Sequence, residues 1–367
     1  MLKLMRAPSK YVQGPDSLLQ LYDEVKDLGK SFLFICSRSG CKAAKPKIEK
    51  SFAGKDAIIR FEIFGGVSSN GEIAKMRKIV EDDKIDVVCG IGGGSAIDTA
   101  KATAYYEKRP VVVIPTVCAT DAPCTGLSVI YNDNGTFSNY LFYPKNPDAV
   151  IVDSSIIVKA PVRFLVAGMG DALGTYFEAR MCDKTNSPSL ENGGVTKSAM
   201  ALCELCYHTL QADGFRAKKS AELGVLTPSV EAIIEANTYL SGVGADNGGL
   251  ATAHSVYNGF TALSECEKTM HGELVAFGTI TQLVLEDAPT DEIEEVMDFC
   301  VSVGLPITLD RVGVTDVSHV KIAAEKACAP GESIHNMLGD VTPEQLYNAI
   351  LTADALGKDF LGESSND

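Results

Sequence analysis

Short apolar runs alternate with helical patterns over residues 1–160 of the chain. Each run is bounded by polar or turn-forming residues, which predicts buried strands, and the 3.6-residue period over 70–81 and 95–106 predicts helices between them. The predicted strands are Phe32–Cys36, Ile58–Phe64, Asp86–Cys89 and Val111–Ile114. Strands and helices that alternate in this way are typical of βαβ units, which build a mostly parallel sheet.

The pattern then departs from simple alternation. Leu127–Tyr131 and Phe137–Tyr143 flank the turn-forming cluster Asn132–Gly135, which predicts a β-hairpin. Ala149–Val152 predicts one further strand. Past Pro161 strand-like runs nearly vanish and long helical patterns replace them. The predicted helices are Phe164–Ala179, Val195–Gln211, Pro228–Val243 and Ile293–Val303.

These patterns predict two domains, an α/β domain over residues 1–160 and an all-helical domain over 161–367. The chain has 367 residues, of which 46% are hydrophobic, so it can bury a core large enough for two domains. The net charge of −15 and the absence of a long Lys/Arg run argue against nucleic acid or an anionic membrane as a partner. The apolar runs are also far shorter than the ~20 residues of a membrane helix.

The first twenty residues lack the basic start and apolar run of a secretion signal, and the eleven cysteines are scattered rather than arranged as a framework. Both features predict a cytoplasmic protein with reduced, buried thiols. Cys203 and Cys206 form a Cys-x-x-Cys pair inside a predicted helix. Because no second pair accompanies it, we interpret this pair as structural.

A run of glycines, Gly92-Gly93-Gly94-Ser95, follows a predicted strand and opens a predicted helix. Glycines let the backbone approach a phosphate closely, and the N-terminus of the following helix favours its negative charge. The alternative is a tight turn without a ligand, but a turn needs only one or two glycines. The spacing matches neither the Rossmann Gly-x-Gly-x-x-Gly nor a Walker loop. The run therefore predicts a phosphate-binding loop of another type.

Candidate metal ligands are few, because the chain has only five histidines. A catalytic zinc ion takes three nitrogen or oxygen ligands and leaves a fourth position open. His254 and His271 stand among small residues that let the backbone pack around an inward-pointing ring, whereas His208 and His319 fit the surface. A histidine in such surroundings is more often a hydrogen-bonded core residue, and Asp171 alone fits a plain helix N-cap. The individual residues thus leave metal binding open.

Taken together, five groups of residues resemble one protein family. In chain order they are Gly92–Ser95 with Asp98–Lys101, Pro115-Thr116 with Thr120–Pro123, Gly170–Leu173, Ala253-His254 with Asn258-Gly259, and His271–Glu273. Spread over nearly the whole chain, they are similar to the glycerol dehydrogenase branch of the iron-containing alcohol dehydrogenase and dehydroquinate synthase superfamily. The resemblance implies a dehydroquinate synthase-like fold, a homo-octamer, and the zinc- and NAD-dependent oxidation of glycerol or a related small vicinal diol to dihydroxyacetone.

The resemblance also implies roles for individual residues. Asp171, His254 and His271 match the zinc ligands. Asp121 matches a residue that contacts the polyol, and it would either orient the polyol or serve as a proton relay. The cofactor-binding set that it implies is Ser37, Gly92, Gly93, Gly94, Ser95, Asp98, Thr116, Ala119, Thr125, Leu127 and Tyr131. Iron-using relatives carry a fourth ligand, a histidine one helical turn after the aspartate. Here that position is Thr175, which predicts a three-ligand site that suits zinc.

Two positions depart from the family pattern. Ser37 and Arg38 stand where relatives usually carry an acid that binds the adenosine ribose and repels the NADP phosphate. A serine beside an arginine would tolerate that phosphate, so the choice between NAD and NADP stays open. The family motif Thr-x-x-Ser-Thr-Asp also appears here as Thr116-Val117-Cys118-Ala119-Thr120-Asp121, so Ala119 stands at the serine and one hydroxyl is lost.

Three other functions fit the same resemblance in part. A dehydroquinate synthase or a glycerol-1-phosphate dehydrogenase would need a cluster of Lys and Arg for its anionic substrate. Only Lys268 lies close in sequence to a candidate ligand. A binding protein that had lost its chemistry would be expected to lack a ligand, and none is missing. The sequence therefore favours the polyol dehydrogenase.

Overall fold

The computed structural model describes residues 1–363; residues 364–367, the end of the predicted helical domain, lie outside the described residues. The strands of the described part are β1 (Tyr11–Gly14), β2 (Ser31–Cys36), β3 (Ile58–Ile63), β4 (Val87–Gly92), β5 (Val111–Pro115), β6 (Leu127–Tyr131), β7 (Phe137–Phe142) and β8 (Ala149–Asp153). Six of them form one parallel sheet in the order β1-β8-β5-β4-β2-β3, and β6 pairs with β7 as an antiparallel hairpin.

Helices lie between the strands and make up the later part of the chain. They are α1 (Leu21–Val25), α2 (Arg38–Phe52), α3 (Asn70–Asp82), α4 (Gly94–Tyr106), α5 (Ser154–Ile157), α6 (Val162–Thr185), α7 (Lys197–Glu222), α8 (Pro228–Glu235), α9 (Ser241–Gly248), α10 (Thr252–Phe260), α11 (His271–Leu285), α12 (Thr290–Val303), α13 (Val320–Ala327) and α14 (Pro343–Phe360). The predicted fold class, a parallel α/β part followed by a helical part, is confirmed.

Burial across the sheet follows strand order. All residues of β4, β5 and β8 are buried, whereas the edge strands β1 and β3 are mostly half-buried. A strand covered on both faces reads as a continuous apolar run, which explains why the central strands were predictable. The edge strand β1, with the sequence Tyr-Val-Gln-Gly, gives no such run and was missed.

The sheet has a topological switch point between β2 and β4. From β2 the chain continues through α2 to β3 on one side, and from β4 it continues through α4 to β5 on the other side. The connections therefore diverge and leave a crevice at the carboxyl ends of these two strands. Parallel α/β sheets bind their ligands at such points. Ser37 follows β2 and Gly93 follows β4, so both lie at this edge.

Two predicted helices differ from the structure. The helix predicted over Val195–Gln211 extends as α7 to Glu222. The stretch Pro228–Val243 is interrupted by a π-helical turn at Ala236–Leu240 between α8 and α9. A single π-turn inserts one residue into the helical register, which the apolar period does not reveal.

The chain forms two compact units by density of contacts. One comprises Arg6–Phe164 with Ser220–Gly242, and the other comprises Met1–Met5, Leu165–Lys219 and Val243–Asp367 as far as it is described. A single cut near Ala160–Pro161 differs from this division, because it assigns residues 220–242 to the helical half and Met1–Met5 to the α/β half. Within residues 1–363, no helix has both the length and the apolar character needed to span a lipid bilayer.

Candidate metal centre and dinucleotide loop

Three helices of the helical unit each contribute one predicted metal ligand. Asp171 lies in the middle of α6, His254 is the third residue of α10, and His271 is the first residue of α11. One ligand atom from each lies within 4.8 Å of the others. Asp171 Oδ1 is 2.9 Å from Nε2 of His271 and 3.4 Å from Nε2 of His254. The structure thus brings the three residues together, and the mid-helix position of Asp171 excludes the N-cap interpretation.

Close backbone contact between α6 and α11 makes this convergence possible. A Cβ atom at Gly272 would lie 1.7 Å from the carbonyl oxygen of Ala167, and one at Gly170 would lie 2.2 Å from the carbonyl oxygen of Gly272. Real Cβ atoms do not come so near to backbone atoms, so only glycine permits this approach. Because the two glycines adjoin Asp171 and His271, their contact sets the separation of those two ligands.

The three ligand side chains lie close together around a buried carboxylate. Asp171 is 1% exposed. Burial by itself would raise the pKa of Asp171, but the adjacent His271 and His254 rings outweigh it and hold that pKa well below its usual range. Burial by itself would lower the pKa of His254, but the Glu178 and Asp171 carboxylates outweigh it and raise that pKa well above its usual value. The centre therefore favours positive charge between its carboxylates.

The donor set fits a divalent cation. Two imidazole nitrogens face one carboxylate oxygen across a short gap, and imidazole with carboxylate is the ligand combination that catalytic zinc takes. Thr175, one helical turn after Asp171, is buried and offers only a hydroxyl where a fourth imidazole would be needed. A cation here would thus have three protein ligands and an open coordination position.

Glu178 supports His254, and the sequence analysis did not predict this role. It lies two helical turns after Asp171 on α6, and its side chain is fully buried. Its Oε2 is 2.6 Å from Nδ1 of His254, the ring nitrogen opposite the one that faces Asp171. The seven-residue spacing places both acids on one helix face, and this spacing is the only sequence signal for Glu178.

The ring of His271 also has a neighbour from α10. Tyr257 packs edge-on against this ring, and the ring centroids are 4.1 Å apart.

The glycine loop lies at the switch point of the sheet in the α/β unit. Gly92 has φ +147°, and a Cβ there would lie 2.8 Å from Oγ of Ser37 and 2.9 Å from Cβ of Ala96. Gly93 is the N-cap of α4 and has no side chain to cap it. Ser37 is the N-cap of α2 and accepts a hydrogen bond from the Gly40 N–H. Two helix N-termini therefore meet at this loop, and the N–H groups of a helix N-terminus favour an anionic group such as a pyrophosphate.

A second segment of predicted cofactor ligands flanks the loop. The Thr116 N–H donates to the carbonyl oxygen of Gly92 at 3.0 Å. Cβ atoms at Gly93 and Gly94 would lie nearest to Val117 and Thr120, so the segment containing Ala119 runs along the glycines. Ser95 is exposed on the first turn of α4. The structure thus brings Ser37, the three glycines and the 116–120 segment to one edge of the sheet.

The remaining predicted cofactor residues are linked through Asp98 and Lys101 on α4. Asp98 is buried, which raises its pKa, and its Oδ2 accepts from the Val129 N–H of β6 at 3.2 Å. The buried Lys101 ammonium donates to the carbonyl oxygens of Ala122 and Leu127 and to Thr125. Together they hold the segment from residue 122 to β6, which carries the predicted residues Thr125, Leu127 and Tyr131. Lys101 is a structural support that the motif alone did not reveal.

Asp121, the predicted polyol contact, lies at the start of that segment. Its Oδ2 accepts a hydrogen bond from Oγ of Ser241 at 3.4 Å. A Cβ at Gly242 would lie 2.8 Å from the Asp121 carbonyl oxygen, so the backbone there is tightly packed against α9. The half-buried carboxylate is therefore held in place by its own unit.

Comparison with known proteins gives the same class of protein as the fold and the site. The family model described as iron-containing alcohol dehydrogenase matches residues 8–154. A glycerol dehydrogenase from Citrobacter freundii is 50% identical over 363 residues, which cover 98% of this chain and 100% of the relative. A glycolaldehyde reductase from Halobacterium salinarum is 40% identical over 360 residues, covering 98% and 99% of the two chains.

Comparison with solved structures gives the same family. The crystal structure of glycerol dehydrogenase from Schizosaccharomyces pombe superposes with a TM-score of 0.95 at 36% identity, covering 100% of this chain and 93% of that one. The chain therefore belongs to the iron-containing alcohol dehydrogenase family and is an oxidoreductase. Within that family it is similar over its full length to glycerol dehydrogenases.

Proposed function

We propose that the chain oxidises glycerol, or a related small vicinal diol, to dihydroxyacetone or the corresponding hydroxyketone with NAD. The substrate's secondary carbon loses a hydride to the nicotinamide and its hydroxyl loses a proton, so NADH and one proton are released. The observation that carries this proposal is the convergence of Asp171, His254 and His271 in a chain 45–50% identical to glycerol dehydrogenases of several bacteria.

We propose zinc as the metal, although the family is named for iron. The support is the three-donor set of one carboxylate and two imidazoles, with Thr175 where a fourth ligand would be needed. Zinc bound there would supply a Lewis acid that lowers the pKa of a substrate hydroxyl. The residues themselves provide a partly buried frame, because each ligand comes from a different helix and two glycines let α6 and α11 approach closely.

The α/β unit would bind NAD. Gly92, Gly93 and Gly94 would hold the pyrophosphate against the N-termini of α2 and α4, with Ser37 beside the adenosine ribose. The segment that Lys101 supports would line the nicotinamide. Asp121 would orient the polyol by accepting hydrogen bonds from its hydroxyls, since its carboxylate is held by Ser241.

The test is an absorbance assay at 340 nm with NAD and a panel of diols, with glycolaldehyde and NADH as the reverse-direction member. We expect the highest rates with glycerol or another small vicinal diol, loss of activity on chelation, and recovery with zinc. Asp171→Asn replaces a ligand carboxylate with a neutral amide, and it should abolish zinc binding and activity while the circular dichroism spectrum is unchanged. Full activity in the chelated enzyme or in Asp171→Asn would refute the metal role.

We further propose that the enzyme is a cytoplasmic homo-octamer. The octamer is supported by the family resemblance, and the location by eleven cysteines that are all free thiols. Native mass spectrometry should give eight copies of the chain. A dimer or a monomer as the dominant species at micromolar concentration would contradict the octamer.

A further inference from the structure

Helix α10 begins without a capping side chain of its own. Its N-cap residue is Ala251, which offers no side-chain acceptor to the exposed N–H groups of the first turn. Such groups are costly when they are buried without partners, and this helix start is buried. The partners must therefore come from elsewhere in the helical unit.

Two side chains from neighbouring helices supply these partners. Oε1 of Glu178, on α6, accepts from the N–H groups of Ala251 at 2.8 Å and His254 at 3.0 Å. Oε1 of Gln282, on α11, accepts from the N–H groups of Thr252 at 3.0 Å and Ala253 at 3.3 Å. The two helices that carry Asp171 and His271 thus cap the helix that carries His254.

The second oxygen of Glu178 acts on the ring of His254. It lies 2.6 Å from Nδ1, and a carboxylate can only accept hydrogen bonds. Nδ1 must therefore carry a proton, which leaves the lone pair of a neutral ring on Nε2, the nitrogen that faces Asp171. This is the arrangement that a metal ligand requires, and partners of this kind orient ligating histidines in metal sites.

We propose that Glu178 is a positioning residue that fixes the tautomer and orientation of His254 and so determines the metal affinity of the centre. The inference rests on the proposed metal centre. Glu178 also completes the charge balance, because two buried carboxylates, Asp171 and Glu178, match the two positive charges of a divalent cation. A buried centre that is neutral overall avoids most of the cost of burying charge.

Glu178→Gln separates this role from capping. The glutamine is nearly isosteric, and its carbonyl oxygen can still accept from the N–H groups of Ala251 and His254. Its NH₂ group then faces Nδ1 and favours the tautomer with the proton on Nε2, which competes with metal binding. We expect zinc affinity, measured by competition with a chelating dye on metal-stripped protein, to fall 10- to 100-fold. The melting temperature of the metal-free protein should change by no more than a few degrees.

Two control variants complete the experiment. Gln282→Ala removes the other capping side chain without touching the ring, so it should lower the melting temperature while zinc affinity stays within about threefold of wild type. Glu286→Gln neutralises a half-buried carboxylate of the same unit whose partner is Arg180, and zinc affinity should again be unchanged. If Glu178 served only as a cap, Glu178→Gln would keep the zinc affinity of wild type, because its carbonyl oxygen still caps α10.

The outcomes separate the two proposals. If wild-type protein binds no stoichiometric zinc, the proposed metal centre is wrong. If wild type binds zinc and folded Glu178→Gln binds it equally well, the positioning role is wrong. Should Glu178→Gln fail to fold, Glu178→Asp provides a second measurement, because its carboxylate is one methylene short of the ring. We expect about a tenfold loss of zinc affinity there, and wild-type affinity in that variant would equally overturn the inference.

Discussion

Ser37 combines two roles at one position, because its hydroxyl caps α2 and lies against Gly92 at the switch point of the sheet. Aspartate also caps helices well. Ser37→Asp should therefore fold normally while it places a negative charge where the adenosine ribose would lie. We expect at least a tenfold drop in kcat/KM with NADP and a much smaller change with NAD, because a carboxylate repels the NADP phosphate. Initial rates with each cofactor give both values.

A second N-cap provides the control for Ser37→Asp. Thr342 caps α14 in the helical unit, and its hydroxyl accepts from the Gln345 N–H. Thr342→Asp makes the same kind of change at a distant helix start and should leave the cofactor preference unaltered. An unchanged ratio of NADP to NAD efficiency in Ser37→Asp would show that Ser37 does not adjoin the ribose.

Single residues were predictable from sequence where a motif surrounded them. Asp171, His254 and His271 each stand in a recognisable motif, and the structure places their ligand atoms together. Glu178 has no such motif, because its role arises from contact with a histidine 76 residues further along the chain. The contact of Ser37 with Gly92 likewise depends on the pairing of β2 with β4, which no local pattern specifies.

At the scale of elements, the contact of α6 with α11 determines whether the metal ligands converge. Gly272→Ala would place a Cβ 1.7 Å from the carbonyl oxygen of Ala167, so the helices must separate. We expect overpacking here to cost about 1–3 kcal/mol or more and to lower zinc occupancy as His271 moves away from Asp171. Urea unfolding and zinc analysis of the purified variant measure the two effects.

Gly331→Ala is the comparison for this substitution. Gly331 has φ +93°, but a Cβ there meets nothing within 4 Å. The substitution therefore costs about 1 kcal/mol of backbone strain without moving a helix, and zinc occupancy should stay complete. Equal zinc occupancy in Gly272→Ala and Gly331→Ala would show that the glycine contact does not set the ligand separation.

The elements that sequence patterns predicted best are those with one dominant environment. Central strands such as β4 and β5 are apolar throughout because they are covered on both faces. The edge strand β1 and the π-helical turn at Ala236–Leu240 were not predictable, since the first lacks a continuous apolar run and the second shifts the helical register by one residue. Strand order also depends on pairings between distant segments.

At the scale of the whole molecule, the apolar and polar pattern was sufficient for the fold class but not for the division into units. The π-helical turn and the helix α8 read as part of the helical half, yet they pack with the α/β unit. Gln13 of β1 donates to the carbonyl and the carboxylate of Glu231 on α8, which is one of the contacts that hold this segment there. Such contacts join residues more than 200 positions apart and leave no mark on either segment alone.

The thiols give a prediction for the whole molecule. Nine of the eleven cysteines are buried, and burial raises the pKa of Cys118 to about 11 and of Cys203 to about 12. An exposed thiol ionises near pH 8.5. Below that pH both folded and unfolded chains carry neutral thiols, so no stability is lost. As the pH rises further, only the unfolded chain ionises, and the free energy of unfolding falls until the folded thiols ionise as well.

Cys203→Ala measures the contribution of one thiol to this pH dependence of stability. Each pH unit between about 8.5 and the folded pKa of Cys203 should cost wild type up to ~1.4 kcal/mol through this group. Removing the thiol lowers stability at pH 7.5 through lost packing. It should also make the fall in the free energy of unfolding from pH 8.5 to 10 less steep, because the variant releases about one proton fewer on unfolding. Urea unfolding of both proteins under reducing conditions at pH 7.5, 8.5, 9.5 and 10 measures the two slopes. Parallel slopes would mean that Cys203 ionises in the folded protein as readily as in the unfolded chain, which its complete burial beneath Gly244 and Gly248 opposes.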